Sequence, residues 1–360
     1  MILIPRYNQE IPLYSLIQLF LGKKIEFPED YMFFNSGRSI IKWLLAELKS
    51  LSGKKLNVGM PCYVCYTVYQ SVIESDNEPL LLDVNPLGFS FPDNLINQIN
   101  KIDVLIWVNY FGFRYDEILK QTRSRFPDLI ILEDCSQVDL RDFIKSNNEV
   151  LFSDYMIFSF NFRKPITAGR GGLLILNRKR VLKNLHYLSN RYNNLPKEKL
   201  TASKIIHLLV YNYSYNYLIF LLFNKLITKR RQRKFTPEEF PIQVFTINGL
   251  IKKLFYIQYL RISDKNNSEL YTLNYLCQKS EVINDFCFGS LCYFPVKLNS
   301  HINRSVNDKV DRFLLWDDLK ESYSFFDLKI KEKEFPLTFY FMNNFIFLPA
   351  RLFKKSAFES

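Results

Sequence analysis

DLIILEDCSQ (128–137) and DYMIFSFNFRKPITAGRGG (154–172) each open on a short apolar run that leaves no polar face. A half-exposed strand alternates; a run that is apolar on both sides belongs in a sheet covered on both faces. Four more runs of the same kind lie along the chain: KLNVGM (55–60), PLLLDV (79–84), DVLIWVNY (103–110) and GGLLILN (171–177). Between them, Thr67–Ser75 and Tyr115–Phe126 carry apolar residues at helical spacing. Strand-length runs alternating with helical segments predict an α/β domain with a mostly parallel sheet. In such sheets ligands bind beyond the carboxyl ends of the strands, so the residues after each run are the ones to inspect.

Three sets stand out there. FFNSGRSII (33–41) places small residues before a helical pattern, Ser39–Leu48. Ser39 or Asn35 is a candidate cap, and the free N–H groups of such a helix start suit an anion. Asp134 ends the run 128–134, where it suits either a ligand contact or the cap of a following helix. Lys164 follows its run by a few residues, with the Ser159 hydroxyl five positions before it and Pro165 directly after. A surface lysine is the ordinary reading. A desolvated lysine held in an irregular loop is instead suited to imine formation.

These segments, taken in order, resemble the DegT/StrS family of pyridoxal-phosphate (PLP) sugar aminotransferases, of fold type I. The family's Ser-Gly-x-x-Ala helix start is similar to Ser36-Gly37-Arg38-Ser39-Ile40, and its Pro-x-Tyr-x-Cys/aromatic stretch to Pro61-Cys62-Tyr63-Val64-Cys65. Val108-Asn109-Tyr110-Phe111-Gly112 stands for Val-His-x-Tyr-Gly, and Glu133-Asp134-Cys135-Ser136-Gln137 for Glu-Asp-x-Ala-Gln/His. Ser159-Phe160-Asn161-Phe162-Arg163-Lys164, with Gly171-Gly172, matches Ser-Phe-x-x-x-Lys…Gly-Gly, and Ile346-Phe347-Leu348-Pro349 resembles a late Leu-Pro.

The resemblance implies roles. Lys164 would be the Schiff-base lysine and Asp134 the partner of the pyridine nitrogen. Gln137 would sit at the phenolic oxygen of the cofactor. Gly37, Arg38 (through its backbone) and Ser159 would hold the phosphate, and Cys65 would lie against the ring. It implies an aminotransferase that takes nitrogen from an amine donor and gives it to a keto-sugar nucleotide, for cell-surface polysaccharide synthesis, working as a cytoplasmic homodimer. It also implies a large PLP-binding domain over 1–235, including an N-terminal segment 1–30 and a helical insert at about 181–235, and a small α/β domain over 242–360. Four positions depart from the pattern. Cys65 replaces the stacking aromatic, Asn161 a His, Arg170 a Glu, and Ala350-Arg351 follow the late Leu-Pro where a His is usual. Because Asn161, Arg170 and Arg351 are substrate-side positions, PLP chemistry on a non-sugar substrate, or a scaffold without activity, are the competing expectations.

Bulk properties narrow the classes. The chain of 360 residues is 48% hydrophobic and 23% charged, ample for a large core. Its net charge of +12 suits a phosphorylated ligand, an anionic membrane surface or nucleic acid. The Lys and Arg residues are scattered without a basic/aromatic RNA-binding signature, which argues against nucleic acid. With only 11 glycines, the cluster Gly169, Gly171, Gly172 is not filler. Cys62 and Cys65 have no second pair at zinc spacing, so no metal site is expected and the six cysteines read as reduced thiols. The N-terminal stretch lacks the basic start of a signal peptide. His186, His207 and His301 lie outside every motif. Residues 208–224 are uncharged and precede Lys229, Arg230, Arg231, Arg233 and Lys234. A buried or dimer-interface helix is the plainer reading, and peripheral membrane contact the other.

Overall fold

The computed structural model describes residues 27–28, 30–84, 100–112, 114–140, 152–161, 164–199, 201, 241–261, 293–297 and 330–349. Its main sheet has seven strands: β1 (Tyr31–Phe34), β2 (Asn57–Pro61), β3 (Glu78–Leu82), β4 (Val104–Val108), β5 (Ile130–Asp134), β6 (Tyr155–Ser159) and β7 (Gly172–Leu176). The spatial order is β1-β7-β6-β5-β4-β2-β3. Strands β2 to β6 are parallel, and β7 is antiparallel to both β6 and β1. Every apolar run read from the sequence overlaps one of these strands. The sequence pattern does not predict β1, a four-residue edge strand too short to separate from the helix start that follows it.

Around the sheet lie α1 (Gly37–Ser52), α2 (Tyr66–Glu74), α3 (Asp116–Arg125), α4 (Arg178–Asn193), α5 (Gly249–Arg261) and α6 (Pro336–Asn344), and a separate antiparallel pair joins β8 (Tyr293–Lys297) to β9 (Phe345–Pro349). Helix α5 begins only at 249, because 242–248 is spent lacing alongside β1: Asn35 N–H donates to Phe245 O and Ile247 N–H to Phe33 O, at 3.0 and 3.1 Å. The segments 208–224 and 229–234 lie outside the described residues, as do Ala350-Arg351, His207 and His301. His186 sits exposed on α4. No helix among the described residues is long and apolar enough to cross a membrane.

Alternate residues of β1, β6 and β7 enter two different cores, as the period of a strand requires. Met32, Phe34, Ile157, Leu174 and Leu176 pack with Ile40, Leu44 and Leu48 of α1. Phe33, Met156, Phe158, Leu173 and Ile175 pack instead with Ile251, Leu254 and Phe255 of α5. Helices on both faces explain why these strands carry no polar side. They also explain one glycine. A Cβ at Gly172 would lie 2.9 Å from Gly37 N, from Ile40 Cδ1 and from Phe158 O, so its absence lets the start of α1 press onto the sheet.

Two polar clusters fasten this frame. Asp83, directly after β3, accepts from Leu337 N–H and Thr338 N–H (both 2.9 Å) and from the Thr338 hydroxyl (3.0 Å), holding the first turn of α6 to the sheet. Behind α3, Arg123 donates to Asp154 (2.6 Å) and to the carbonyls of Phe152 and Leu129, while Asp154 also accepts from Arg180 (2.7 Å) and Ile131 N–H (2.7 Å). Burial draws the Arg123 guanidinium below its ordinary range, and Asp154 opposes that shift. Removing one member of a buried pair leaves the other uncompensated, at a cost of about 3–5 kcal/mol. Asp154→Ala is therefore expected to lower the urea-unfolding free energy by about that amount, and Asp154→Asn, which keeps an acceptor for Ile131 N–H, by less. Equal stability of Asp154→Ala and the wild type would show that the pair is dispensable.

Candidate active site

The parallel strands β1, β2, β4, β5 and β6 end on one edge of the sheet, and the antiparallel β7 begins there. That topology gathers six of the motif segments on a single edge: Ser36-Gly37 after β1, Cys65 after β2, Asn109–Gly112 after β4, Asp134–Gln137 at the end of β5, Ser159, Asn161 and Lys164 at and after β6, and Gly169–Gly171 before β7.

Helix α1 starts against this edge. Its cap is Ser36, neither Ser39 nor Asn35. Ser36 Oγ accepts from Ser39 N–H (3.2 Å), and Ser39 Oγ accepts in return from Ser36 N–H (3.1 Å), closing a capping box. Asn35 is diverted to the 242–248 strap, donating to Gln243 O and accepting from Phe245 N–H. With Ser39 N–H satisfied, the N–H groups of Gly37 and Arg38 are left, among the described residues, without an acceptor. Ser159 stands beside them: a Cβ on Gly37 would lie 3.4 Å from Ser159 Cβ and 3.7 Å from its Oγ. Two free amides, a hydroxyl and the positive end of a helix dipole form an anion cradle that a larger residue at 37 would fill. The Arg38 side chain is exposed, and its carbonyl accepts from Ser71 Oγ (3.0 Å), so its place in the cradle is through its amide.

Asp134 ends the strand at the middle of the sheet, between Val108 of β4 and Ile157 of β6. It is only 9% exposed, and one oxygen accepts from Ser136 N–H (2.9 Å). Among the described residues it has no cationic partner. Lys164 is half-buried in the loop after β6, which an Asn161–Gly169 bridge closes; its N–H donates to Asn161 O (3.0 Å). Its Nζ likewise has no hydrogen bond or ion pair among the described residues. A buried carboxylate without a cation, a lysine without an acid and an amide cradle without an anion thus share one edge. PLP carries a basic pyridine nitrogen, an aldehyde and a phosphate, which are the three complements. The residues present fit the group.

Gln137 is buried, and its Oε1 accepts from Phe111 N–H at 2.7 Å. Phe111 holds φ 62° and ψ 2°, in the left-handed region. For an aromatic side chain that conformation costs roughly 1–3 kcal/mol, and nothing in the pattern of the segment announces it. The same turn is tied to the loop after β2 by Tyr110 OH donating to Tyr63 O (2.6 Å). It is tied to β5 by Asn109, whose N–H reaches Asp134 O (3.1 Å) and whose Nδ2 reaches Glu133 Oε1 (2.7 Å). Strand β8 lies against the turn from the other side. Cys65 is half-buried at the start of α2, with its Sγ 3.2 Å from Thr67 Oγ1. Arg170, where the resembled family has Glu, forms an ion pair with Glu198, which is almost fully buried. Asn248 caps α5 by accepting from Leu250 N–H (2.9 Å). The ligand-edge residues that sequence reasoning did not single out are Phe111, Tyr63 and Glu198.

The model of the DegT/DnrJ/EryC1/StrS aminotransferase family matches residues 34–216, just over half of the 360. No curated protein matches the sequence. Among solved structures, the chain is similar to Spr1654 of Streptococcus pneumoniae in its PMP form, described as a sugar aminotransferase, at 13% identity and a TM-score of 0.66 over 96% of this chain and 92% of that one. It is similar to DesV of S. venezuelae in complex with a ketimine intermediate, at 14% identity and a TM-score of 0.61, over 93% and 88%. It is also similar to PseC of Helicobacter pylori, an aminotransferase involved in pseudoaminic acid biosynthesis, at 13% identity and a TM-score of 0.59, over 96% and 93%. Those likenesses carry the fold. The family match and the three complementary groups on one sheet edge lead to the same conclusion: the chain belongs to the DegT/DnrJ/EryC1/StrS aminotransferase family and is a PLP-dependent aminotransferase of fold type I.

Proposed function

We propose that the protein transfers an amino group from an amine donor to a keto sugar carried on a nucleotide, a step toward cell-surface polysaccharide, and that Lys164 and Asp134 do the chemistry. The observation that supports the site is the meeting, at one sheet edge, of a lysine, a buried carboxylate and a pair of amides that have no partner for their charge or N–H among the described residues. The sugar substrate is supported by the family and by the described activities of Spr1654 and PseC. The net charge of +12 is favourable for a substrate bearing a diphosphate.

PLP, when bound, supplies an aldehyde that takes up amines and a ring that withdraws electrons from the attached carbon. The chain supplies the rest. Gly37 N–H, Arg38 N–H and the Ser159 hydroxyl hold the phosphate, and so fix the distance of the ring from the edge. The Asp134 carboxylate keeps a proton on the pyridine nitrogen, which maintains the electron demand. Lys164 Nζ anchors the aldehyde carbon. When not engaged with the aldehyde, Lys164 Nζ would be the base that takes a proton from the substrate carbon and the acid that returns it. Gln137 would stand at the phenolic side of the ring and Cys65 along its face. A dimer in the cytoplasm, with each site completed by the partner, belongs to the same proposal. Arg170 favours a second reading, PLP chemistry on a substrate other than a sugar, because its pairing with Glu198 places an ion pair where the family pattern has a lone acid.

The first test is the visible spectrum of the purified protein with PLP, before and after borohydride. Wild type is expected to show a band that borohydride fixes to Lys164. Lys164→Ala is expected to bind PLP reversibly and to lose about 10²–10⁴-fold in the half-reaction with an amine donor, the ordinary share of a positioned proton shuttle. An unchanged half-reaction in Lys164→Ala would remove Lys164 from its role. Gly37→Val is expected to weaken PLP binding about tenfold or more, roughly 1.4 kcal/mol, with the far-UV circular dichroism unchanged. Tight binding in that variant would place the phosphate elsewhere. Screening keto-sugar nucleotides against simple keto acids as acceptors separates the two substrate readings.

A further inference from the structure

The turn between the Lys164 loop and β7 carries a cation that the cofactor leaves without a task. Gly169 and Gly171 stand at φ 77° and 104°, so the chain turns sharply on both sides of Arg170. Each glycine is also tied to the site. Gly169 bridges to Asn161, in the segment that carries Lys164, and Gly171 bridges to Ser36, the cap beside the amide cradle. Arg170 is thereby pinned between the lysine loop and the cradle.

Its guanidinium is fixed from behind. Nη2 pairs with Glu198 Oε1, and the Glu198 side chain is only 2% exposed. The 242–248 strap holds Glu198 in turn: its N–H donates to Thr246 O (2.9 Å) and its carbonyl accepts from Asn248 Nδ2 (3.4 Å). The pair does not use up the arginine. Its Nε–H is buried and meets no acceptor among the described residues, while the side chain keeps 31% of its surface open. A buried donor without an acceptor is destabilising until something accepts from it. Lys197 and Lys199, on either side of Glu198, are exposed, so the rim around this buried acid is basic. A guanidinium oriented in advance, with an N–H to spare, suits a planar or tetrahedral oxyanion.

We propose that Arg170 is the subsite for an anionic group of the substrate, a carboxylate or a phosphate, with Glu198 as the positioning residue behind it. The inference rests on the reading that this edge takes an amine donor and a keto acceptor beside PLP. It goes beyond that reading in naming a charge the substrate carries and the residue that reads it. The cofactor's phosphate has its own partners in Gly37, Arg38 and Ser159, so the anion at Arg170 is a second one. The amine donor brings it as a carboxylate, and a keto sugar on a nucleotide brings it as a diphosphate. An acid at position 170 would repel either group; the arginine attracts it.

Calorimetric titration of the PLP-loaded protein with 2-oxoglutarate and with uridine diphosphate separates the two sources of the anion. Wild type is expected to bind at least one of them. Arg170→Gln is expected to weaken that binding at least tenfold, with the visible band and the PLP affinity at their wild-type values. Loss confined to 2-oxoglutarate assigns the carboxylate, loss confined to uridine diphosphate assigns the phosphate, and loss of both assigns a shared subsite. Arg170→Lys keeps the charge without the fork and is expected to fall between. Glu198→Gln breaks the same ion pair but leaves the guanidinium, and is expected to bind the probe at least as tightly as wild type. Equal losses in Arg170→Gln and Glu198→Gln would make the pair a structural one and overturn the inference. A fall in PLP affinity in Arg170→Gln would give the arginine to the cofactor's phosphate and overturn it too, as would a wild type that binds PLP but neither probe. A wild type that gives no band with PLP sinks the cofactor reading, and this inference with it. Failure of the inference alone shows as a wild type that binds PLP beside an Arg170→Gln variant that binds both probes as tightly. Thermal unfolding of the variants distinguishes a local change from a misfolded chain.

Discussion

The approach of the α1 N-terminus to the sheet governs the rest of the structure. Ser36 bridges to Gly171, Phe34 pairs with Gly172, and Gly172 leaves no room for a Cβ between β6 and the first turn of α1. Two glycines in succession are therefore needed where β7 begins. Gly171 adopts φ 104°, which L side chains avoid, and Gly172 provides the clearance. Because the helix can come this close, its unpaired amides reach the hydroxyl of Ser159 on the neighbouring strand. A helix set one methyl group further out would still fold, but its amides and Ser159 would no longer converge.

Electrostatics at the edge follows from what the rest of the chain declines to do. Several other buried charges have an ionic partner among the described residues. Arg123 and Arg180 share Asp154, Glu47 is met by Arg191 and Tyr187, and Glu198 by Arg170. Asp134 and Lys164 depart from that habit. Leaving ionisable groups without partners is destabilising in an isolated protein, and such groups cluster where a ligand provides the missing charge. The matched pairs elsewhere make the mismatch here informative.

Much of this was legible from the residues. Apolar runs without a polar side specified strands covered on both faces, and strand ends located Asp134, Ser159 and Lys164. The remainder was hidden for identifiable reasons. β1 has only four residues, and the helix start beside it dominates the local pattern. The choice of Ser36 over Asn35 as cap depends on the 242–248 strap, which claims Asn35 from over two hundred residues away. Phe111 is invisible because a left-handed aromatic violates local preference, and only the hydrogen bonds around it hold it there. Arg170 departs from the family pattern, but its partner Glu198 is set by long-range contacts: Lys197 bridges to Thr246, which brings Glu198 to Arg170.

Asp83 sets a schedule as well as a contact. Its three donors, on Leu337 and Thr338, lie about 250 residues further along the chain. At roughly 5–20 residues per second, a ribosome takes about 13–50 s to cover that interval. Through that time the carboxylate after β3 has only water for company, because the first turn of α6 has not yet been made. All seven strands of the main sheet leave the ribosome before that turn does, so the sheet is synthesised whole before its last anchor arrives.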